Sequence, residues 1–328
     1  MTPTLDLAAL SKLAPHLAPG GVRVVDAKPL SGGASQELWA VSVERAEGAE
    51  KVVLRRAPEG RTRSELSTSI ELEAELIKGA AARGVPVANV RYVLQPSDGL
   101  GNGFFMAYVE GEALGQRIVR EDKFAQARPK LARQCGEILA RIHGTPAVPG
   151  LPTLQARDVV DALERSHRLE NRPRPVIELG LKWLRANLPK ALPPRVVHGD
   201  FRNGNMLIGP EGVRAVLDWE LAHLGDPLED LGWVCVNSWR FGVIDKPVGG
   251  FGMREDLYAG YEAVSGAPVD RDVARFWEVL GTLRWGVMCT MSTVSLRENP
   301  NAGIERYMIA RRASETELDL LDLFREAM

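Results

Sequence analysis

The segment HGDFRNGNMLI, residues 198 to 208, is followed at 216 to 220 by VLDWE, so His198, Asp200, Asn203, Asn205 and Asp218 stand close together in the chain. Polar groups crowded between apolar runs are costly to bury unless something binds them. Such a set admits three chemistries: holding a metal, hydrolysing a bond, or moving a phosphoryl group. Phosphoryl transfer needs one carboxylate to orient or accept the proton of the attacking hydroxyl. It also needs an amide oxygen and a second carboxylate to hold Mg²⁺ against the phosphates. Asp200 suits the first role, and Asn205 with Asp218 suits the second. A metal hydrolase could use two carboxylates, an amide and one His, but hydrolases rarely place an Asn in this way.

The elements that must carry these groups fall into two unlike parts. To about residue 110 the chain is strand-rich. VRVVDAKPL, ELWAVSVER and KVVLRRA read as three strands, with SGGASQ between the first two. STSIELEAELIKGAAARG follows at helical spacing, with Ser67 or Ser69 as N-cap and Gly84 at its end. VANVRYVLQ and GFFMAYVEGE read as two more strands around a Gly/Asn/Asp turn. From about residue 111 the chain is mostly helical. An amphipathic helix over 124–144 stops at Gly144, a Pro-rich connector follows, and 157–188 reads as helix with a break at RPRP. Between Asp200 and Asp218 a short hairpin, NMLIGPEGVRAVLDW, returns the second Asp, on an apolar strand, to the cleft of the first. Gly199 and Gly204 let the loop turn tightly. Three or four helical stretches close the chain.

Composition bounds the function. The 328 residues suffice for two lobes with a real core. With 41 basic and 43 acidic residues the net charge is −2, which offers no whole-protein basic field for nucleic acid. Cys135, Cys235 and Cys289 lie far apart with no CxxC pair, so a reducing cytosol is the simplest home. The N-terminal stretch does not read as a secretory signal, and no apolar run is long enough to span a bilayer. A cytoplasmic protein acting on a small molecule, with neither nucleic acid nor membrane as partner, is expected. The oligomeric state is open.

His-x-Asp, an Asn five residues after the Asp, and a later Asp is the spacing of a kinase catalytic loop and its metal-binding Asp. HGDFRNGNMLI with VLDWELAHLGDPLEDLGW resembles the motif of the aminoglycoside phosphotransferase-like family, also called the phosphotransferase enzyme family. Within it the segment is most similar to the branch associated with acyl-CoA dehydrogenases. The resemblance covers nearly the whole chain in lobe order. It implies an α+β, bilobal, protein-kinase-like fold with a small antiparallel-sheet N-lobe carrying one helix and a large, mainly helical C-lobe. Residues 1–110 would form the nucleotide-binding N-lobe, and residues 111–328 the C-lobe with the catalytic loop and acceptor site. The implied cofactors are ATP and Mg²⁺.

Carried over residue by residue, the resemblance places Asp200 as catalytic base and Asn205 and Asp218 on the metal. LSGGASQELWAV resembles the nucleotide-covering loop, with Gly32, Gly33 and Ser35 at the phosphates, although it lacks a GxGxxG. Arg55 stands where kinases carry a Lys, which is a departure, and Arg56 is the competing register. Arg55 is favoured because Val53 and Arg55 share a face. Its partner would be Glu73, with Glu71 and Glu75 as competitors. FFMAYVEGE resembles the hinge, with Met106 behind the adenine and backbone groups of Ala107 to Val109 bonded to it. His198 would brace the loop, and Asp230 would accept backbone N–H groups from it. Asp226 would cap a helix start before Pro227. Arg202 could equally meet a phosphate or an anionic substrate, or pair with an acidic neighbour.

On the acceptor side, Trp219, Trp233, Trp239, Trp277 and Trp285 cluster in sequence among Arg240, Phe241, Phe251, Tyr258 and Arg284. They could line an apolar pocket, although for any single Trp a place in the helical core is the simpler reading. The helical insertion around 161–185 is mixed to basic, unlike the carboxylate-rich lining that suits polycations. The reading reached is an ATP-Mg-dependent phosphotransferase acting on a small-molecule hydroxyl, of hydroxyacyl type. The alternatives are a nucleotide-binding pseudo-kinase or regulatory module, or an antibiotic kinase.

Overall fold

The computed structural model describes residues 5–30, 36–58, 67–299 and 303–327. Its first part is an antiparallel sheet of β1 (Gly21–Pro29), β2 (Glu37–Arg45), β3 (Gly48–Arg56), β4 (Val90–Val93) and β5 (Gly103–Ala107). The spatial order is β1-β2-β3-β5-β4, so the last two strands exchange places relative to the sequence. Alternation decides the faces. Trp39, Val41 and Val43 of β2 are buried on one face, and Trp39 and Val41 pair with Leu54 and Val52 of β3. That face packs on Leu10, Leu13 and Leu17, from two short helices, α1 (Leu7–Lys12) and α2 (Ala14–Leu17), and their junction. Neither helix is legible from sequence periodicity, because each is under two turns long.

The other face of β3 carries Val53 and Arg55 toward α3 (Ile70–Ala82). Ser69 caps this helix by accepting the Leu72 amide, and Gly84 follows its end at φ +77°. Ile70, Ala74 and Ile77 of α3, with Phe104 of β5, belong to the same continuous core as the helical lobe. The small lobe therefore contributes to two cores, its own and the shared one.

The helical lobe contains α4 (Gly115–Arg120), α5 (Arg128–His143), α6 (Ala156–Glu170) and α7 (Pro175–Ala186). α8 (Leu228–Trp233) ends the motif segment, and α9 (Arg254–Ser265), α10 (Arg271–Glu298), α11 (Ile304–Ala310) and α12 (Ala313–Ala327) follow it. Four helices thus follow the motif among the described residues, within the three or four expected. The closing stretch is two helices rather than one. α5 begins at Arg128 rather than 124, with Pro129 in its first turn, where a missing N–H costs nothing. α5 and α9 approach closely: a Cβ on Gly136 would collide with the Leu257 carbonyl, and one on Gly260 with the Arg133 carbonyl.

Two small ladders position the motif. β6 (Arg195–Val197) pairs with β9 (His223–Gly225), and β7 (Met206–Gly209) pairs with β8 (Gly212–Val216). The loop 198–205 leaves β6 and enters β7, while 217–222 leaves β8 and enters β9. The two loops must therefore lie side by side. Asp218 sits in the second loop at φ +64°, not on a strand as its apolar flanks suggest. Asp is among the few non-Gly residues that tolerate this region.

Candidate active site

The loop is anchored from beneath. Asp230, fully buried on α8, accepts the amides of His198 (2.8 Å, at Oδ2) and Gly199 (3.0 Å, at Oδ1). His143, the last residue of α5, lies 3.0 Å from Asp230 Oδ2 through Nε2, and its Nδ1 lies 3.0 Å from the Tyr261 hydroxyl. Burial alone would raise the Asp230 carboxyl, but the His143 hydrogen bond and charge outweigh it, so the group is held below the usual carboxylate range. Gly199 adopts φ +78°, and a Cβ there would strike the Leu221 carbonyl of the neighbouring loop. Asp226 Oδ1 accepts the Leu228 amide at 2.9 Å at the start of α8.

His198 fastens the two loops together. Its Nδ1 accepts the Asp200 amide at 3.2 Å, and its Nε2 donates to the Leu217 carbonyl at 3.0 Å. Both ring nitrogens are engaged, and burial pushes the pKa of the ring down against the pull of the neighbouring carboxylates. The ring thus bridges the two loops. A second tie joins the Leu217 amide to the Asn205 carbonyl at 2.8 Å.

Asp200 is held by three donors. Oδ1 accepts Trp233 Nε1 at 2.8 Å and Arg202 Nε at 3.1 Å, and Oδ2 accepts Asn205 Nδ2 at 2.6 Å. Asn205 Nδ2 also reaches the Asp200 carbonyl at 3.0 Å. Because its NH₂ group faces Asp200, the amide of Asn205 is left with its oxygen as the available acceptor. Arg202 resolves toward the acidic neighbour, and its guanidinium lies 4.6 Å from the centre of the Trp239 ring.

Asp218 meets the N-lobe through Arg55. Arg55 Nη2 donates to Asp218 Oδ1 at 2.9 Å, and Arg55 Nε lies 2.9 Å from Glu73 Oε1. Glu220 Oε2 is 3.8 Å from the same guanidinium. Arg55, not Arg56, faces the cleft, since Arg56 pairs with Glu37 on β2. Glu73, not Glu71 or Glu75, is the buried partner. Burial pushes the Glu73 carboxyl above its ordinary value, against the pull of the Arg55 charge, and Glu73 Oε2 is a buried oxygen with no hydrogen-bond partner among the described residues.

Met106 is half-buried at the end of β5 and pairs in register with Val53. The Ala107 amide already donates to the Asn89 carbonyl at 2.8 Å, so it is not open to a nucleotide, whereas Val109 is half-buried beyond the strand. Gly32, Gly33 and Ser35 lie outside the described residues.

The tryptophans divide. Trp219 and Trp277 are almost fully buried in the shared core. Trp233, Trp239 and Trp285 instead form a separate cluster beside Asp200, with ring centres 5.2 and 5.0 Å apart. Sequence reasoning missed the contacts of His143 with Asp230 and of Trp233 with Asp200. They join residues 87 and 33 positions apart, and no local spacing announces such a pairing.

A five-stranded antiparallel sheet above a helical lobe, with an HxD loop braced over a buried Asp and a second Asp tied to a sheet arginine, is a protein-kinase-like arrangement. The phosphotransferase enzyme family matches residues 26–267, and this chain belongs to it. Among curated relatives, residues of this chain are 31% identical over 208 positions to acyl-CoA dehydrogenase family member 10 of Mus musculus. The match takes in 57% of this chain and 18% of that protein. A probable acyl-CoA dehydrogenase, IBR3, of Arabidopsis thaliana is 24% identical over 230 residues, 62% of this chain and 27% of its own length. The chain therefore matches under a third of these relatives. Two solved structures share the fold. One is a Ralstonia eutropha protein provisionally described as an aminoglycoside phosphotransferase, with TM-score 0.75, 20% identity, and 98% of this chain and 99% of that one covered. The other is a spectinomycin phosphotransferase in complex with ADP and spectinomycin, with TM-score 0.61, 14% identity, and coverage of 96% and 98%.

Proposed function

We propose that this protein is an ATP-Mg-dependent phosphotransferase that moves the γ-phosphoryl group of ATP to a hydroxyl of a small molecule, with Asp200 as base. The observation that carries this reading is the continuous polar chain from Asp200 through Asn205 to the Asp218 loop and on through Arg55 to Glu73. It gathers, from both lobes, the groups that phosphoryl transfer requires.

The residues present fit Mg²⁺. The available Asn205 oxygen and the Asp218 carboxylate are hard oxygen donors, and Mg²⁺ takes one or two protein ligands and leans on phosphate and water for the rest. Bound ATP-Mg supplies the phosphoryl group and neutralises its developing charge. Asp200 takes the proton of the attacking hydroxyl. Arg55, held by buried Glu73, offers its fork to phosphate oxygens in place of Lys. That guanidinium now rests on Asp218, which is the one observation favouring the pseudo-kinase reading. The ADP complex of the spectinomycin enzyme supports nucleotide use.

A hydroxyacyl-type acceptor is supported by the relatives named as acyl-CoA dehydrogenases and by the Trp233–Trp239–Trp285 cluster with Arg202 and Arg284 at its faces. A cytoplasmic setting is supported by three free, buried cysteines. No described helix is long and apolar enough to cross a membrane. Assaying ATP-dependent phosphorylation across hydroxyacyl-CoA thioesters and aminoglycosides tests the reading. Turnover of the former is expected, and phosphorylation of kanamycin alone would overturn the acceptor class.

A further inference from the structure

The Asp200 carboxylate is loaded unevenly. Oδ1 receives two N–H groups, from Trp233 at 2.8 Å and Arg202 at 3.1 Å. Oδ2 receives one, from Asn205 at 2.6 Å. A carboxylate oxygen offers about two lone-pair sites. Oδ1 is therefore filled, and among the described residues Oδ2 receives a single donor and keeps one site.

Trp233 is built to hold its donor in place. The indole is almost completely buried. Trp239 packs at a tilt against one side of it, with centres 5.2 Å apart, and the Arg284 guanidinium lies 4.9 Å from its ring centre. Arg284 also donates to the Gly199 carbonyl at 3.3 Å and reaches Glu229 at 3.4 Å, so the group over Trp233 is itself tied to the loop that carries Asp200. Gly281 on α10 lets the helix approach the indole closely: a Cβ there would sit 3.0 Å from Trp233 Cε3. The ring cannot rotate away without disturbing α8, α10 and the loop together.

We infer that Trp233 is a positioning residue for the phosphoryl transfer: with Arg202 it saturates Oδ1 of Asp200, so that the proton of the acceptor hydroxyl is taken at Oδ2. This rests on the reading of Asp200 as base. The step balances simply. The acceptor O–H bond breaks, and its proton goes to Oδ2. The acceptor oxygen bonds to the γ-phosphorus as the bond from that phosphorus to the β–γ bridging oxygen breaks, and ADP leaves with the electron pair. Trp233 donates throughout and transfers no proton. An indole suits this task because it is a donor only and carries no charge that would compete with the metal.

Trp233→Phe keeps the aromatic filling and removes the N–H. We expect kcat to fall about tenfold or more, the scale of losing one hydrogen bond to a charged group, with KM for ATP changed less than about twofold. Trp183→Phe, on α7 and packed against Phe276 and Phe324 away from Asp200, is the comparison and should not reproduce that fall in kcat. A Trp233→Phe enzyme with kcat near wild type, alongside an inactive Asp200→Asn, would overturn the inference and leave the base assignment standing. An active Asp200→Asn would overturn the base assignment itself. A second measurement does not depend on the Phe variant folding. In nitrogen-15 spectra of the full chain labelled at tryptophan, one indole N–H resonance should move upfield in Asp200→Asn, as its acceptor changes from a carboxylate to a neutral amide. Indole resonances unmoved between the two proteins would contradict the hydrogen bond on which the inference stands.

Discussion

Asp200, Asp218 and Asp230 are three aspartates in one short segment, and the structure gives each different surroundings. Asp200 is partly exposed and carries donors on both oxygens. Asp200→Asn should keep the fold and nucleotide binding and lower turnover by about a hundredfold or more, the scale of losing a positioned base, as a single-turnover assay would show. Asp218 has a backbone that disfavours most side chains, so an Ala there would mix strain with the loss of the proposed metal ligand. Asp218→Asn is the cleaner change, and calorimetry should show weaker Mg²⁺-dependent ATP binding. Unchanged affinity would place the metal elsewhere. Asp230 is buried beneath the loop amides and His143. Asp230→Ala should lower stability by about 1–3 kcal/mol or more, read by thermal or urea unfolding, because two amides and an imidazole lose their acceptor. The pH dependence has a definite sign. The folded Asp230 carboxyl lies below its unfolded value, so its contribution is complete above about pH 4 and is lost as pH falls through the lower folded value. Wild type should therefore lose stability on acidification below about pH 4 more steeply than Asp230→Asn, in which the group no longer titrates.

At the scale of elements, the site depends on contacts that no local pattern encodes. His143 reaches Asp230 only because α5 is held at a fixed depth against α9, where Gly136 and Gly260 allow the backbones together. Gly136→Ala should force the pair apart at a cost of about 1–3 kcal/mol, seen as a lower unfolding midpoint, although it lies outside the catalytic loop. The three strands β1 to β3, the capped helix α3 and the β7–β8 hairpin were legible from alternation, caps and turn residues. The β1-β2-β3-β5-β4 order was not, since it rests on long-range pairing of Val53 with Met106 and of Tyr92 with Phe105. The apolar flanks of Asp218 read as strand because apolar content does not report φ. His198, Asp200, Asn205 and Asp230 were legible as a set because they are close in sequence and differ in chemistry. Trp233, one of several tryptophans, looked like core filling until its N–H was placed on Asp200.

For the whole molecule, the central feature is an ion-paired arginine that ties the two lobes together at the cleft, beside the core they share. Arg55 comes from the sheet, Glu73 from α3, and Asp218 from the loop after β8. Removing Arg55 would leave Glu73 buried without its countercharge, so Arg55→Ala should cost about 3–5 kcal/mol as well as activity. The measurement that tests the whole account most directly is transfer of radiolabelled γ-phosphate from ATP, with Mg²⁺, to a panel of hydroxyl acceptors that includes hydroxyacyl-CoA thioesters. It should be run in parallel on wild type and Asp200→Asn. The account predicts an acid-stable labelled phosphoester with wild type, requiring Mg²⁺, and at least a hundredfold less with Asp200→Asn. Equal labelling by the two proteins would contradict it.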